Sequence, residues 1–208
     1  MLRVQTTLIT LLTLMILAQD ATAQCRYFQP WAQRRASHTS IVRSCDIPEP
    51  MDLAALDDFI CDNNGTLAGV RWWGVVLNQE QLREGRRYYL AIFEDNGNCE
   101  PDAEPIYKAC LNPSIQRSGV DCSRRRVYQF TSQVPPFPIE GGTRYWIQIS
   151  EDDSTSARSG VEDFRWSGRL EQRGCPAVQA VVGGGIISPL LDPCAQVPVD
   201  LSFALVTL

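Results

Sequence analysis

Two stretches of the sequence combine tryptophan with arginine in a way suited to ligand binding. They are GVRWWG at 69–74 and RYWIQI at 144–149. Because successive side chains of an extended strand point to opposite faces, Trp73 shares a face with Arg71 while Trp72 takes the other. Aromatic rings beside polar groups form favourable contacts with sugar rings and with protein partners. The chemistry indicated by these residues is recognition rather than bond cleavage.

If the two stretches form neighbouring strands, their outward side chains make one binding patch, to which a tyrosine of a third strand contributes. The predicted members are Trp73, Trp146, Arg71, Arg144, Gln148 and Tyr89. We expect Trp72 to face the core together with Val70. The alternative is that loops or the N-terminal segment cover the mixed face, with the arginines lying over the rings.

An acidic stretch, EDNGNCEPDAE at 94–104, offers oxygen ligands for a metal ion. Calcium takes roughly six to eight oxygens from carboxylate, amide and carbonyl groups. The candidate calcium ligands are Asp95, Asn96, Asn98, Glu100 and Asp102. Their spacing is not that of an EF-hand loop, so a polar hairpin loop is the alternative. No other cofactor is predicted.

Few residues are arranged for catalysis. His38 is the single histidine and no GxSxG motif is present, which leaves a Ser-His-Asp constellation without a good base. Acidic residues at 151–153 and 162–163 could serve a glycosidase, whose two carboxyl groups lie about 5 to 10 Å apart across a cleft. Neighbouring side chains on a strand point apart, however. We therefore expect a non-catalytic binding or structural module, with a secreted hydrolase acting on glycans as the alternative.

Eight cysteines follow the N-terminal apolar segment: Cys25, Cys45, Cys61, Cys99, Cys110, Cys122, Cys175 and Cys194. An even number in an exported chain predicts up to four disulfides. No pair has CxxC spacing, which argues against a zinc site. Closeness in sequence suggests Cys175–Cys194 and Cys110–Cys122. The intervening QAVVGGGIISPLL at 179–191 is either a flexible apolar flap for a partner or a hairpin packed on the domain.

The first residues, MLRVQTTLITLLTLMILAQDATAQ, have the pattern of a secretory signal peptide: Arg3, a short apolar run, and small residues before a cleavage point at Ala23. The apolar run is too short to span a membrane. A net charge of −5 argues against nucleic-acid binding. We expect an extracellular or periplasmic protein that contacts a carbohydrate or protein surface, in an oligomeric state that the sequence leaves open.

The elements that must position these residues are strands. Candidate strands rich in β-branched and aromatic residues, separated by turn residues, are 66–77, 86–94, 104–110, 125–134, 143–150, 162–168 and 199–207. No long segment keeps a helical apolar period. The pattern predicts an all-β fold, a two-layer antiparallel β-sandwich or jelly roll. PPFP at 135–138 lacks the N–H groups of a central strand and marks an edge or a crossing between sheets.

Three parts are predicted along the chain: a signal peptide at 1–23, an irregular N-terminal extension at 24–56, and a β-sandwich domain at 57–208. We expect Cys25 and Cys45 to tether the extension. MDLAALDDF at 51–59 either forms a turn of helix or leads into the first strand.

The order of motifs over residues 57–206 resembles a group of exported bacterial β-sandwich modules of unassigned function. The motifs are DDF at 57–59, GVRWWG at 69–74, YYLAIFEDNG at 88–97, GGTRYWIQIS at 141–150, FRWSG at 164–168 and DLSFALV at 200–206. The resemblance implies the fold and export, and it transfers no catalytic residues. The eight cysteines and the irregular start depart from the pattern.

Overall fold

A computed structural model describes residues 25, 27–32, 37–42, 44–45, 52–77, 86–155, 164–169, 171–181, 185–193 and 195–208. The predicted signal peptide, Glu162, Asp163 and Cys194 lie outside the described residues. The described parts contain β-strands and one 3-10 turn at Asp153–Thr155, with no α-helix. The predicted all-β class is confirmed.

The strands of the N-terminal half are β1 (Phe28–Gln29), β2 (Ser37–Thr39), β3 (Ile41–Val42), β4 (Leu53–Ile60), β5 (Gly65–Val76), β6 (Tyr88–Glu94), β7 (Tyr107–Leu111) and β8 (Ser114–Val120). Those of the C-terminal half are β9 (Arg126–Ile139), β10 (Arg144–Asp152), β11 (Phe164–Arg169), β12 (Val178–Val181), β13 (Gly185–Pro189), β14 (Asp200–Leu201) and β15 (Phe203–Thr207). Each of the seven predicted strands overlaps an observed one, whereas β8 was missed because it is short of large apolar residues.

The strands form two sheets packed face to face. Sheet 1 follows the order β1-β15-β5-β11-β14, with β9 beside β5, β8 beside β9 and β2 beside β11. Sheet 2 follows the order β13-β12-β4-β10-β6-β7, with β3 beside β10. The pairing of β3 with β10 is parallel, and the other pairings described are antiparallel. The predicted two-layer sandwich is confirmed.

Two ambiguous segments are strands. Residues 53–60 form β4 rather than a turn of helix, and residues 178–181 and 185–189 form the antiparallel pair β12 and β13 rather than a flap. The prolines at 135–138 lie inside β9, which continues to Ile139. The register with β5 shifts between Leu67 and Gly69, opposite this segment, so an irregular ladder accommodates the missing N–H groups.

The core between the sheets is rich in aromatic rings. Trp72 stacks on Phe130 of the same sheet, with ring centroids 5.3 Å apart. Tyr88 of sheet 2 meets Trp72 edge-on at 5.3 Å. Trp72 and Val70 are both buried in this cluster, whereas Trp73 belongs to a separate cluster. The predicted division of the two tryptophans between the two faces of their strand is confirmed.

Disulfides join Cys25 to Cys61, Cys45 to Cys110, and Cys99 to Cys175. Cys122 is also disulfide-bonded, and no described cysteine is free. The predicted pairs Cys175–Cys194 and Cys110–Cys122 are wrong, because sheet topology brings together cysteines as much as 76 residues apart. The predicted tethering of the N-terminal segment through Cys25 and Cys45 is confirmed.

Candidate binding face

The predicted binding patch is divided between the two sheets. Trp73 and Arg71 lie on β5 of sheet 1, whereas Trp146, Arg144 and the other predicted members lie on β10 and β6 of sheet 2. In each sheet these residues are directed away from the core between the sheets. The expectation of one shared patch is therefore wrong, because β5 and β10 are not neighbours.

The side chains on the outer face of sheet 2 are buried by other parts of the chain. Trp146 is fully buried, and Tyr89 and Gln148 are also buried. Val42 and Cys45 of the N-terminal segment pack on this face together with Cys175. This half of the predicted patch is covered, by Cys45 of the N-terminal segment and by the segment around Cys175.

Arg144 is held at a disulfide. Its Nε lies 3.6 Å from Oδ2 of Asp58, and its guanidinium contacts the sulfurs of Cys99 and Cys175. The backbone N–H of Cys175 donates to Oδ1 of Asp58 at 3.0 Å. Burial raises the pKa of Asp58 to about 7. These contacts fasten the segment around Cys175 to sheet 2.

The acidic stretch 94–104 connects β6 and β7, and its oxygens accept hydrogen bonds from within the protein. Asp95 accepts from Trp146 Nε1 at 2.8 Å and from the backbone N–H of Gly97 at 3.0 Å. Asn96 accepts from the backbone N–H of Asn98 at 2.9 Å and donates to Glu100 at 3.2 Å. Across the described ranges, no group of three or more His, Cys, Asp or Glu side chains could hold a metal ion. Calcium binding by Asp95, Asn96, Asn98, Glu100 and Asp102 stays a prediction.

The described acidic residues and the histidine that could take part in hydrolysis are buried or form ion pairs within the protein. Glu151 is buried in an ion pair with Arg86, and Asp152 is buried in one with Arg87 at 2.8 Å. Burial lowers the pKa of His38 on β2 to about 4. These groups support folding of the sandwich and are not presented to a substrate.

A buried acidic network was not anticipated from the sequence. Oδ2 of Asp57 accepts from the backbone N–H of Leu201 at 2.6 Å, and Gln29 Nε2 lies between Asp57 and Asp200 at 3.4 Å and 3.2 Å. Burial raises the pKa of Asp57 well above its usual range and that of Asp200 to about 6. The network ties β4 of sheet 2 to β1 and β14 of sheet 1. The signal in the sequence was an Asp pair inside an apolar strand.

The outer face of sheet 1 remains partly open. Strand registers place three rows of side chains across it, and together we call them the Arg71 face. The rows are Phe28, Ala204, Arg71, Thr131 and Ser114; Val206, Gly69 and Gln133; and Trp73, Gln129 and Gln116. Phe28 is 50% exposed and Val206 is 44% exposed. This face presents apolar and polar groups side by side.

Aromatic side chains of the N-terminal segment shape the Arg71 face. Trp73 is only 7% exposed, and its ring meets Phe28 edge-on at a centroid distance of 6.3 Å. Trp31 packs beside Trp73 over Gly119, where a Cβ would lie 2.4 Å from the indole. A glycine is therefore required for this close approach. The exposed aromatic of this face is Phe28, which lies outside the predicted patch.

Two of the buried donors on this side of sheet 1 have no acceptor among the described residues. Nε of Arg71 and Nε1 of Trp31 are buried and make no hydrogen bond. Arg71 is also the single charged residue in the three rows. Buried donors in native proteins are usually satisfied. Arg71 therefore brings to this face a positive charge that no described residue neutralises.

The fold and this face define a disulfide-bonded β-sandwich module whose two outer faces differ in exposure. The chain belongs to the family described as Domain of unknown function (DUF7901), which matches residues 27–206. The match includes most of the segment predicted as an N-terminal extension. A search of curated proteins gives no match.

Proposed function

We propose that the protein is an exported, non-catalytic module that binds an extracellular carbohydrate through the Arg71 face. The observation that carries the proposal is the half-exposed Phe28 on the same cross-strand row as Arg71 and Thr131. An aromatic ring beside hydrogen-bonding side chains suits a sugar ring, which has apolar faces and a polar rim.

The framework of the face favours binding without a large loss of conformational freedom. Arg71, Thr131 and Ser114 project from three paired strands, and β5 and β9 pair over nearly their whole lengths. Residues on paired strands are already ordered, so less entropy is lost when a ligand binds. Gln129 and Gln133 supply both donors and acceptors at the edges of the row.

Export is supported by chemistry found in the described chain. Three disulfides are present, and such bonds persist in oxidising compartments. They are compatible with an extracellular location. In the described residues there is no helix of the length and apolarity needed to cross a bilayer. The signal-peptide pattern at 1–23 gives the route of export in this proposal.

The test is a glycan array followed by isothermal titration of the best binder. Phe28→Ala should weaken binding at least about tenfold, because the stacking surface is lost, which corresponds to roughly 1.4 kcal/mol. Ile106→Ala is the matched control, since Ile106 is a comparably exposed apolar residue next to β7 of sheet 2. Absence of any glycan binding, or equal binding by wild type and Phe28→Ala, would contradict the proposal.

A further inference from the structure

We infer that the Arg71 face selects acidic carbohydrates and that Arg71 receives a carboxylate of a uronic acid unit. This inference rests on the proposed function and names the chemical class of its ligand. It follows from the pairing of the arginines, from the unsatisfied donors, and from the charge of the surrounding rows.

Arg71 differs from most of the other arginines that are partly or fully buried. Five of them form ion pairs with carboxylates: Arg86 with Glu151, Arg87 with Asp152, Arg125 with Asp121, Arg144 with Asp58, and Arg169 with Glu171. Arg71 is also partly buried, yet it makes no ion pair or hydrogen bond with any residue that the structure describes. No described carboxylate pairs with Arg71, and in this inference the ligand supplies one.

The unsatisfied N–H groups specify an acceptor. A buried donor without a partner is unfavourable, because it has given up its hydrogen bonds to water. Nε of Arg71 is such a donor and is shielded from solvent, so a ligand would reach the other N–H groups of this partly buried side chain. Guanidinium groups bind carboxylates through two parallel hydrogen bonds. A neutral sugar could supply hydroxyl oxygens, but only an acid also neutralises the charge.

The surroundings of Arg71 favour an anion. The three rows contain no carboxylate, so nothing within the face competes for the guanidinium or repels an acidic ligand. Phe28 and Arg71 are separated by one strand, β15, which places them roughly 10 Å apart at normal strand spacing. A ring stacked on Phe28 and a carboxylate on Arg71 therefore belong to different units of one chain. The ligand class is an acidic oligosaccharide rather than a single sugar.

The experiment compares acidic oligosaccharides with their carboxyl-reduced, neutral counterparts. Oligogalacturonate, oligoalginate and hyaluronan oligomers are titrated into the full-length mature protein with its disulfides intact. We expect wild type to bind at least one acidic oligomer ten or more times more tightly than the reduced form of the same oligomer. Added salt should narrow this difference, since the contact is partly exposed.

Variants of Arg71 test whether this residue causes the preference for acidic oligomers. Arg71→Gln should abolish the preference for the acidic form, while Arg71→Lys should retain part of it. Arg117→Gln is the matched control, because Arg117 is an exposed arginine of the same sheet that pairs with Tyr128 and lies outside the three rows. Urea unfolding of each variant verifies that it is folded.

The outcomes separate the two proposals. Equal binding of acidic and reduced oligomers overturns the inference and leaves the proposed function intact. A preference for acid that persists in Arg71→Gln also overturns it. Failure to bind any glycan, acidic or neutral, overturns the proposed function itself. Because the wild-type comparison needs no variant, the inference is testable even if Arg71→Gln does not fold.

Discussion

The two outer faces of the sandwich have similar sequence patterns but differ in how far their side chains are buried. On each outer face, an arginine and a tryptophan lie two residues apart on one strand. These are Arg71 and Trp73 on sheet 1, and Arg144 and Trp146 on sheet 2. On sheet 2 the indole of Trp146 is fully buried and donates to Asp95, and the neighbouring arginine is fixed at a disulfide. On sheet 1, Arg71 has no partner among the residues that the structure describes, and Phe28 at the edge of the face is half exposed.

The difference arises from the path of the N-terminal segment. It adds β1 at the edge of sheet 1, pairs β2 with β11, and then crosses to sheet 2, where β3 pairs with β10. The crossing adds Val42 to sheet 2 as part of β3 and brings Cys45 onto the outer face of this sheet, where a disulfide joins it to Cys110. On sheet 1 the same segment contributes Phe28 and Trp31, which flank Trp73 without closing the face. Local alternation therefore creates two similar faces, and one long-range crossing makes them different.

The largest expected effect is the loss of the buried indole on sheet 2. Trp146→Ala should lower the free energy of unfolding by about 3–5 kcal/mol, because it leaves a large cavity and removes the donor to Asp95. Urea unfolding with intact disulfides measures this value. A loss below about 1 kcal/mol would show that this face is not part of the core.

The second effect concerns the Cys99–Cys175 disulfide, which holds the segment around Cys175 on sheet 2. Replacing both Cys99 and Cys175 by alanine should cost about 2–4 kcal/mol, since the bond closes a long loop. Carbohydrate binding should remain unchanged, because the disulfide lies on the side of the molecule opposite the Arg71 face. Thermal unfolding and isothermal titration of the same preparation give the two readouts. Loss of binding in a folded variant would contradict the separation of the two faces.

The third effect concerns the buried acids that join the sheets. Folding raises the pKa of Asp200 from 3.8 to about 6, so the protonated form is favoured in the native state. Its contribution to stability is complete below about pH 4 and falls as the pH rises through 6. Asp200→Asn should therefore gain on the order of 1 kcal/mol relative to wild type between pH 4 and 7.

Urea unfolding of both proteins across this pH range measures the change in their difference. Taking the difference cancels the titration of carboxylates that do not interact with Asp200. Asp57 and Asp58 are not among them, because the negative charge of Asp200 helps to raise the pKa of each in wild type. A difference in stability that does not vary with pH would contradict the raised pKa of Asp200.

The smallest effect on stability should accompany the largest effect on binding. Phe28→Ala removes a half-exposed ring and should change the free energy of unfolding by less than about 1 kcal/mol. Carbohydrate binding should nevertheless fall, as proposed above. Chemical denaturation run beside the binding titration checks both. A large destabilisation would show that Phe28 serves packing instead of recognition.

Much of the fold followed from local patterns. The alternation of Trp72 and Trp73, the turn residues between apolar runs, and the absence of a helical period correctly predicted a two-layer β-sandwich. Strands with few large apolar residues, such as β8 (SIQRSGV), were missed because their stability comes from pairing with β9 rather than from their own composition.

The candidate site was predicted less well. Arg71 and Trp73 were assigned to the correct face, but Trp146 and Arg144 were assigned to the same patch on the assumption that their strands are neighbours. Phe28, the exposed aromatic of the face, was overlooked because it lies in a segment without strand-like periodicity. The predicted disulfide pairs were wrong because closeness in sequence does not predict closeness in the sheets.

The sequence by itself determined which side chains share a face, because a strand's period of two is a property of the extended backbone. Only the tertiary structure decided which face is covered, because that depends on where the N-terminal segment crosses and on which cysteines meet. Such contacts join residues far apart in the chain, and no local pattern encodes them. Arg71 could be placed outward from its neighbours alone, but its lack of a partner is visible only in the folded protein.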